Sequence, residues 1–305
     1  MSELLVPVLS ERVARARAEG RPIVALESTL ITHGLSYPDN LTVARAAEAA
    51  VRESGAEPAT VAVAEGALKV GLTERELELL AHATGVSKAS RHTLAAALVA
   101  TGWAATTVSG TMIAARLAGI TVFATGGIGG VHRGAQQTFD ISADLEELAR
   151  TPVVVVCSGP KAILDRRLTL EYLETRGVPV VALGVEQLAG FYSRDSGLRA
   201  PISLMTPREV ALLVAAHWRL PSPSGVVVAV PVPQAEALPF DDAERAVARA
   251  VAEAEREHVD GPELTPWLLA RVADITDGRS VRANKALIEN NARIAAQIAV
   301  AMSTL

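Results

Sequence analysis

Short runs of consecutive apolar residues alternate along the chain with longer stretches in which apolar positions recur every third or fourth residue. Ser10 to Gly20 carries alanine, valine and arginine at helical spacing, and "RPIVALEST" after it is an extended apolar run that predicts a buried strand. "YPDN" then caps a second helix, "LTVARAAEAAVRESG", which ends on Gly55. The alternation continues with "ATVAVAEGALKVGL" as a strand and turn, "TERELELLAHA" and "TLAAALVATG" as helices, "ATTV" as a strand, "GTMIAARLAG" as a helix and "ITVFATGG" as a strand. Farther on, "PVVVVCSG", "VPVVALG" and "GVVVAVPVP" read as strands, with the helices "AILDRRLTLEYLETRG" and "PREVALLVAAHW" between them. The last third is almost entirely helical: "DDAERAVARAVAEAEREH", "TPWLLARVADITDG" and "SVRANKALIENNARIAAQIAVAM".

Strands that are apolar at every position must be covered on both faces, and helices between successive strands make parallel pairing the natural arrangement. The pattern therefore predicts an α/β fold of three layers, α/β/α. Its central sheet is mainly parallel (mixed), with helices on both faces and a helical C-terminal third. No linker or charge block divides the chain, since "LPSPSG" at 220–225 is only loop-length, so residues 1–305 are expected to form a single domain without internal repeats.

Composition narrows the chemistry. Half of the residues are apolar but only 3% are aromatic, so the core is built from Ala, Val, Leu and Ile. The net charge of -5, without a basic run interleaved with aromatics, argues against a nucleic-acid polymer as partner. Cys157 is the single cysteine, which excludes an intrachain disulfide and a cysteine-based zinc site and fits a cytoplasmic protein. The first twenty residues lack the continuous apolar stretch of a signal peptide, and no run is long enough to span a membrane. His33, His82, His217 and His258 have no metal-ligand spacing, and no G-x-S-x-G elbow is present.

Ligands of open α/β sheets collect at the carboxyl ends of strands, so the loops after strands carry the candidate chemistry. Glu27 stands where an apolar strand runs out. Partial desolvation there raises a carboxyl pKa and suits it to acid–base work, although an ion pair or turn cap is the plainer role. "ATGGIGGVHRG" lacks the spacing of a dinucleotide fingerprint and the Lys-Ser/Thr of a P-loop. Its backbone N–H groups, with Thr125, His132 and Arg133, could still converge on an anion; a plain turn is the alternative. Asp140 and Asp144 would share one face if "FDISAD" begins a helix, offering hard oxygen ligands for Mg²⁺ or Mn²⁺, or simply acidic capping. In "CSGPKAILD", Lys161 falls at the start of a predicted helix, where the helix dipole and desolvation favour the neutral amine that covalent catalysis needs; an ion pair with Asp165 is the alternative. Lys88, Arg91 and His92 in "SKASRH" crowd ahead of an alanine-rich helix, as an anion site or a solvated basic patch.

Taken in order, "ALESTLITHG", "SKASRH", "FATGGIGGVHRGAQQTFDISADLEELA", "VVVVCSGPKAILD", "FYSRDSG" and "RANKALIENNA" resemble the pseudouridine-5′-phosphate glycosidase family, which includes the indigoidine-cluster A-type proteins. The resemblance covers almost the whole chain. It implies reversible cleavage of the C–C glycosidic bond of pseudouridine 5′-phosphate to uracil and ribose 5-phosphate, with a divalent ion, Mn²⁺ or alternatively Mg²⁺, in a cytoplasmic homotrimer. By matching motifs it implies Lys161 as covalent nucleophile, Glu27 as proton donor and Asp140 as metal ligand. Ser142, Ala143, Asp144, Lys88 and Val108 would line the substrate site, Thr125 and His132 would donate to phosphate, and Asn284 would read the base, its alternative being a cap of the last helix. Two other readings stay open: action on another ribose 5-phosphate conjugate in secondary metabolism, and a non-catalytic sugar-phosphate-binding module. The chain departs from the family pattern at Pro160, immediately before the lysine, and at Ser109-Gly110, where relatives resemble Ala-Ser.

Overall fold

The computed structural model describes residues 5–259 and 261–305. In chain order its strands are β1 (Val8–Leu9), β2 (Ile23–Leu26), β3 (Glu57–Ala64), β4 (Ala67–Val70), β5 (Ser87–Ala89) and β6 (Trp103–Thr106). They are followed by β7 (Val122–Ala124), β8 (Val154–Cys157), β9 (Val180–Leu183), β10 (Ile202–Leu204) and β11 (Val226–Ala229). They form one mixed sheet in the order β1-β4-β3-β2-β7-β8-β11-β9-β10, with β6 joined to β3 and β5 to β6. The run from β3 through β2, β7, β8, β11 and β9 to β10 is parallel, while β3 meets β4 and β6 antiparallel.

Period-two alternation distributes each central strand between two cores. Val24, Leu26, Val154, Val156, Val226 and Val228 join the core beneath the helices Asp39–Glu53, Pro207–His217, Phe240–Glu257 and Arg279–Ser303. The intervening Ala25, Phe123, Val155, Cys157 and Val227 pack against Glu11–Ala18, Val108–Ala118, Ala143–Leu148 and Arg166–Thr175. This is the expected three-layer arrangement. Helix starts follow local chemistry: Thr73 and Thr206 make capping boxes with Glu76 and Glu209, and Ser10 and Asp165 cap with their side chains.

Several local expectations change. The helix expected over "AILDRRLTLEYLETRG" begins only at Arg166, because Asp165 accepts the Leu168 N–H (2.9 Å) as its cap and the preceding residues form a loop. β1, β5 and β10 are too short for a periodic signal, and a π-helical turn occupies Leu30–Gly34.

The sheet's topology gathers the loops. From β2 the chain goes to β3 on one side and later to β7 on the other, so a crevice forms at the carboxyl ends of β2, β7 and β8. β6 pairs with Ala62–Ala64, beyond the point where Leu26 of β2 lies opposite Thr60, and runs back toward it. Its end therefore arrives beside β2, where the Thr106 N–H donates to Ser28 Oγ (2.9 Å).

Candidate active site

A cavity of about 580 Å³ occupies this crevice. Glu27, from the end of β2, is buried at 5% exposure, and hydroxyls hold both of its carboxylate oxygens: Thr125 donates to Oε1 and Thr29 to Oε2. Burial pushes its pKa up, against the opposing pull of Lys161 and the two hydroxyls and with a smaller push from Asp144. The outcome is a carboxyl that keeps its proton above the usual range, with a lysine in the same cavity, a setting suited to general acid–base work.

Lys161 reaches the same cavity from the loop after β8. That loop and the glycine-rich loop after β7 run side by side: Ile128 N–H donates to Gly159 O (3.2 Å), Lys161 N–H to Ile128 O (3.0 Å) and Asp165 N–H to Val131 O (2.9 Å). Pro160 is accommodated because the bridge opposite Ile128 uses the backbone of residues 159 and 161, so the missing proline N–H costs no bond. Lys161 is thus carried by a strand-like loop five residues short of the helix, which corrects its expected place at a helix N-terminus. Asp165 serves the cap and makes no ion pair with Lys161 among the described residues.

The glycine run is closely packed, and part of its backbone is already engaged. A side chain at Gly129 would collide with Ser142 Oγ and the Asp144 carboxylate, and three N–H groups of the run are already used: Ile128 on Gly159 O, Gly129 on Asp144 Oδ2 and Val131 on Thr169 Oγ1. The two aspartates also differ from expectation. Asp140 precedes the bridge between Val131 and Ile141, and only Asp144 lies in the helix Ala143–Leu148, so they are not a helical i,i+4 pair. Asp144 is 5% exposed and accepts Ser109 N–H and Gly129 N–H, each at 2.9 Å, pinning the glycine loop to the start of the helix Val108–Ala118. The Asp140 side chain is 46% exposed on the cavity wall, with His132 Nδ1 3.6 Å from its carboxylate. Burial holds the His132 pKa below the usual histidine range, aided by Lys161 and opposed by Asp140.

Asp140 can give a divalent ion one carboxylate and leave its other positions to water and substrate, a common mode for Mg²⁺ and Mn²⁺. Among the described residues no group of three His, Cys, Asp or Glu side chains could hold an ion by itself.

Lys88, Val108, His132, Ser142, Ala143 and Asn284 also line the cavity. Asn284 projects from the interior of the helix Arg279–Ser303, whose N-cap is Gly278, so it does not cap that helix. Thr125 is the exception. Its side chain is buried behind Glu27 with the hydroxyl donating to that carboxylate, which corrects its expected role as a phosphate donor. Arg91 turns away to pair with fully buried Glu147, so "SKASRH" contributes Lys88, Ser90 and His92 to the wall but not the arginine. At the second departure, Ser109 supplies its N–H to Asp144, and a side chain at Gly110 would strike the Ala89 carbonyl.

Thr29, His33 and Asn291 escape a motif reading. Thr29 sits two residues beyond Glu27 in "EST", and His33 lines the cavity from the π-helical turn. Asn291 shares a buried stripe with Leu287, Ile288 and Ala295, and a polar residue on an apolar face is the signal that could have exposed it.

A mainly parallel sheet whose crevice brings a buried acid and a lysine into one cavity defines an α/β enzyme. The chain belongs to the family described as indigoidine synthase A-like proteins, whose profile matches residues 12–301. It is 55% identical to a protein of Solibacter usitatus named pseudouridine-5′-phosphate glycosidase, over 95% of this chain and 97% of that one. It is 53% identical to pseudouridine-5′-phosphate glycosidase 2 of Rhizobium johnstonii, over 99% and 98%. Among solved structures, the prealnumycin C-glycosynthase AlnA in complex with ribulose 5-phosphate superposes with a TM-score of 0.91 at 39% identity, covering 99% of this chain and 98% of that one. An indigoidine synthase A-like protein of Thermotoga maritima gives 0.88 at 32% identity with the same coverage.

Proposed function

We propose that the protein is a pseudouridine-5′-phosphate glycosidase that reversibly converts pseudouridine 5′-phosphate and water into uracil and ribose 5-phosphate. The observation that carries the reading is the presence of Glu27 and Lys161 in one cavity, with the lysine acting electrostatically on the acid. Curated relatives at 50–55% identity that bear this name support it.

Uracil joined through carbon offers no leaving oxygen to protonate, so the route of ordinary glycosidases is closed. With Glu27 protonating the ribose ring oxygen, Lys161 Nζ adds at C1′ and the C1′–O bond breaks, giving an open-chain amine. The C1′–C5 bond then breaks as C5 takes up a proton and the nitrogen lone pair forms a C=N bond, releasing uracil and leaving a lysine imine of ribose 5-phosphate. Water hydrolyses the imine and frees the sugar phosphate. Burial suits Glu27 to this work, because the protonated form persists at a pH where an exposed glutamate would be ionised.

Lys88 and His132 are assigned to the sugar phosphate, Val108 and Ser142 to Asp144 to the sugar wall, and Asn284 to the uracil edge, whose donors and acceptors an amide can match. Asp140 with waters would hold Mn²⁺ or Mg²⁺, which supplies charge for orienting the substrate. The assembly assigned is a cytoplasmic homotrimer, which sedimentation equilibrium can check.

The test is incubation with pseudouridine 5′-phosphate, followed by assay of uracil and borohydride treatment with ribose 5-phosphate. Uracil release and a reduced adduct on Lys161 are expected; neither product would end the reading. Treatment with EDTA should abolish turnover, and Mn²⁺ should restore it, whereas Asp140→Ala should prevent that rescue. The similarity to AlnA favours one second reading, ribosylation of a different acceptor, which would show as turnover of other C-ribosides in preference to pseudouridine 5′-phosphate.

A further inference from the structure

The hydrogen-bond ladder between β7 and β8 slips by one residue where the two strands end. Val154 N–H donates to Thr121 O (2.9 Å), and the same offset would bring Ser158 N–H to the carbonyl of Thr125. It donates instead to Gly126 O (2.9 Å), which leaves the Thr125 carbonyl without a partner in the sheet. A buried carbonyl in that state is costly unless another donor reaches it.

Asn291 supplies the donor from the helix Arg279–Ser303. Its side chain has 0% exposure, and its Nδ2 donates to Thr125 O (2.9 Å) and Ser158 Oγ (3.2 Å), with a longer contact to Gly126 O (3.4 Å). Ser158 Oγ lies 3.3 Å from Asn291 Oδ1, to which its hydroxyl can donate. Only one orientation of the amide works, because the reverse would set Oδ1 against the Thr125 and Gly126 carbonyls. One buried side chain therefore joins the loop behind Glu27 to the loop that carries Lys161.

We infer that Asn291 is a positioning residue for the reaction, acting through two arms. Through Thr125 it fixes the backbone whose hydroxyl holds Glu27, and through Ser158 it fixes the start of the segment that ends in Lys161. The amide restores the bond that the slip removes, just before the two loops resume their pairing at Ile128 and Pro160. The kinetic part of this inference rests on the glycosidase reading above.

The test compares Asn291→Leu, Asn291→Asp and Ser158→Ala with the wild type. Asn291→Leu keeps the shape but removes the donor, so kcat should fall about tenfold to a hundredfold, as expected for misplaced reacting groups, while KM changes by less than about threefold. The rate of borohydride-trapped adduct formation on Lys161 should fall in parallel. Asn291→Asp keeps polarity but puts an acceptor against two carbonyls, and should be impaired at least as much. Hydrogen exchange at the Ser158 and Lys161 amides should accelerate by about tenfold or more in Asn291→Leu, with Val155 deeper in the strand unchanged. A folded Asn291→Leu whose kcat stays within about twofold of wild type, whose loss lies in KM alone, or whose exchange is unchanged would overturn the inference. Should Asn291→Leu fail to fold, Ser158→Ala decides: faster exchange at Lys161 with lower kcat supports the clamp, and no change in either opposes it. The exchange readout does not need turnover, so a wild type inactive on pseudouridine 5′-phosphate would sink the functional reading and leave the clamp separately tested.

Discussion

Glu27 is held by opposing effects of unlike origin: burial disfavours its charge, while Lys161 and the hydroxyls of Thr125 and Thr29 favour it. Removing one hydroxyl should shift that balance in a known direction. In Thr125→Val the methyl groups fill the same space but the bond to Glu27 Oε1 is gone, so the carboxyl should retain its proton to still higher pH. The limb of the kcat/KM profile that reports Glu27 should then move upward. A limb that stays in place, or moves down, would show that another group sets the profile. Cys157, also at the end of β8, is a poor rival nucleophile, since burial pushes its thiol up to about 12.

At the scale of elements, the glycine loop works by permitting contact. Gly129→Ala should cost about 1–3 kcal/mol, because the new methyl group overlaps Ser142 and the Asp144 carboxylate, and it should reduce turnover as the loop shifts; denaturant midpoints and steady-state kinetics would measure both. Thr206→Ala, at the exposed start of the helix Pro207–His217, should cost about 1 kcal/mol through loss of the capping box and leave the kinetic constants unchanged. The strands and long helices were legible in the sequence because periodicity follows directly from which faces are buried. The loop geometry was not. Lys161 was expected at a helix start since Ala162 to Leu164 are apolar, but Asp165 offers a stronger cap one residue before Arg166. Lys161, Glu27 and Asp140 could be nominated from strand ends and family motifs, and all three line one cavity. Thr125 could not be separated from the phosphate donors, because nothing local to "FATGG" reveals that its hydroxyl meets a residue 98 positions away.

For the whole molecule, the buried acid ties stability to pH. Between the ordinary glutamate range and the raised value in the fold, the folded protein holds a proton that the unfolded chain has released, so stability declines as pH rises through that window. Glu27→Gln removes this titration, and its unfolding free energy should be flatter over the same window when measured by denaturant titration at several pH values. No helix among the described residues is long and apolar enough to cross a membrane. The bonds from Asn291 to Thr125 and Ser158 span 166 and 133 residues of sequence, which sets an order of events during synthesis. A ribosome adding roughly 5–20 residues per second makes Lys161 and Glu27 well before Asn291, so the two loops wait on the order of ten seconds for the amide that joins them. The nascent chain can thus pair most of its strands early, yet it acquires an assembled active site only when one of its last helices docks.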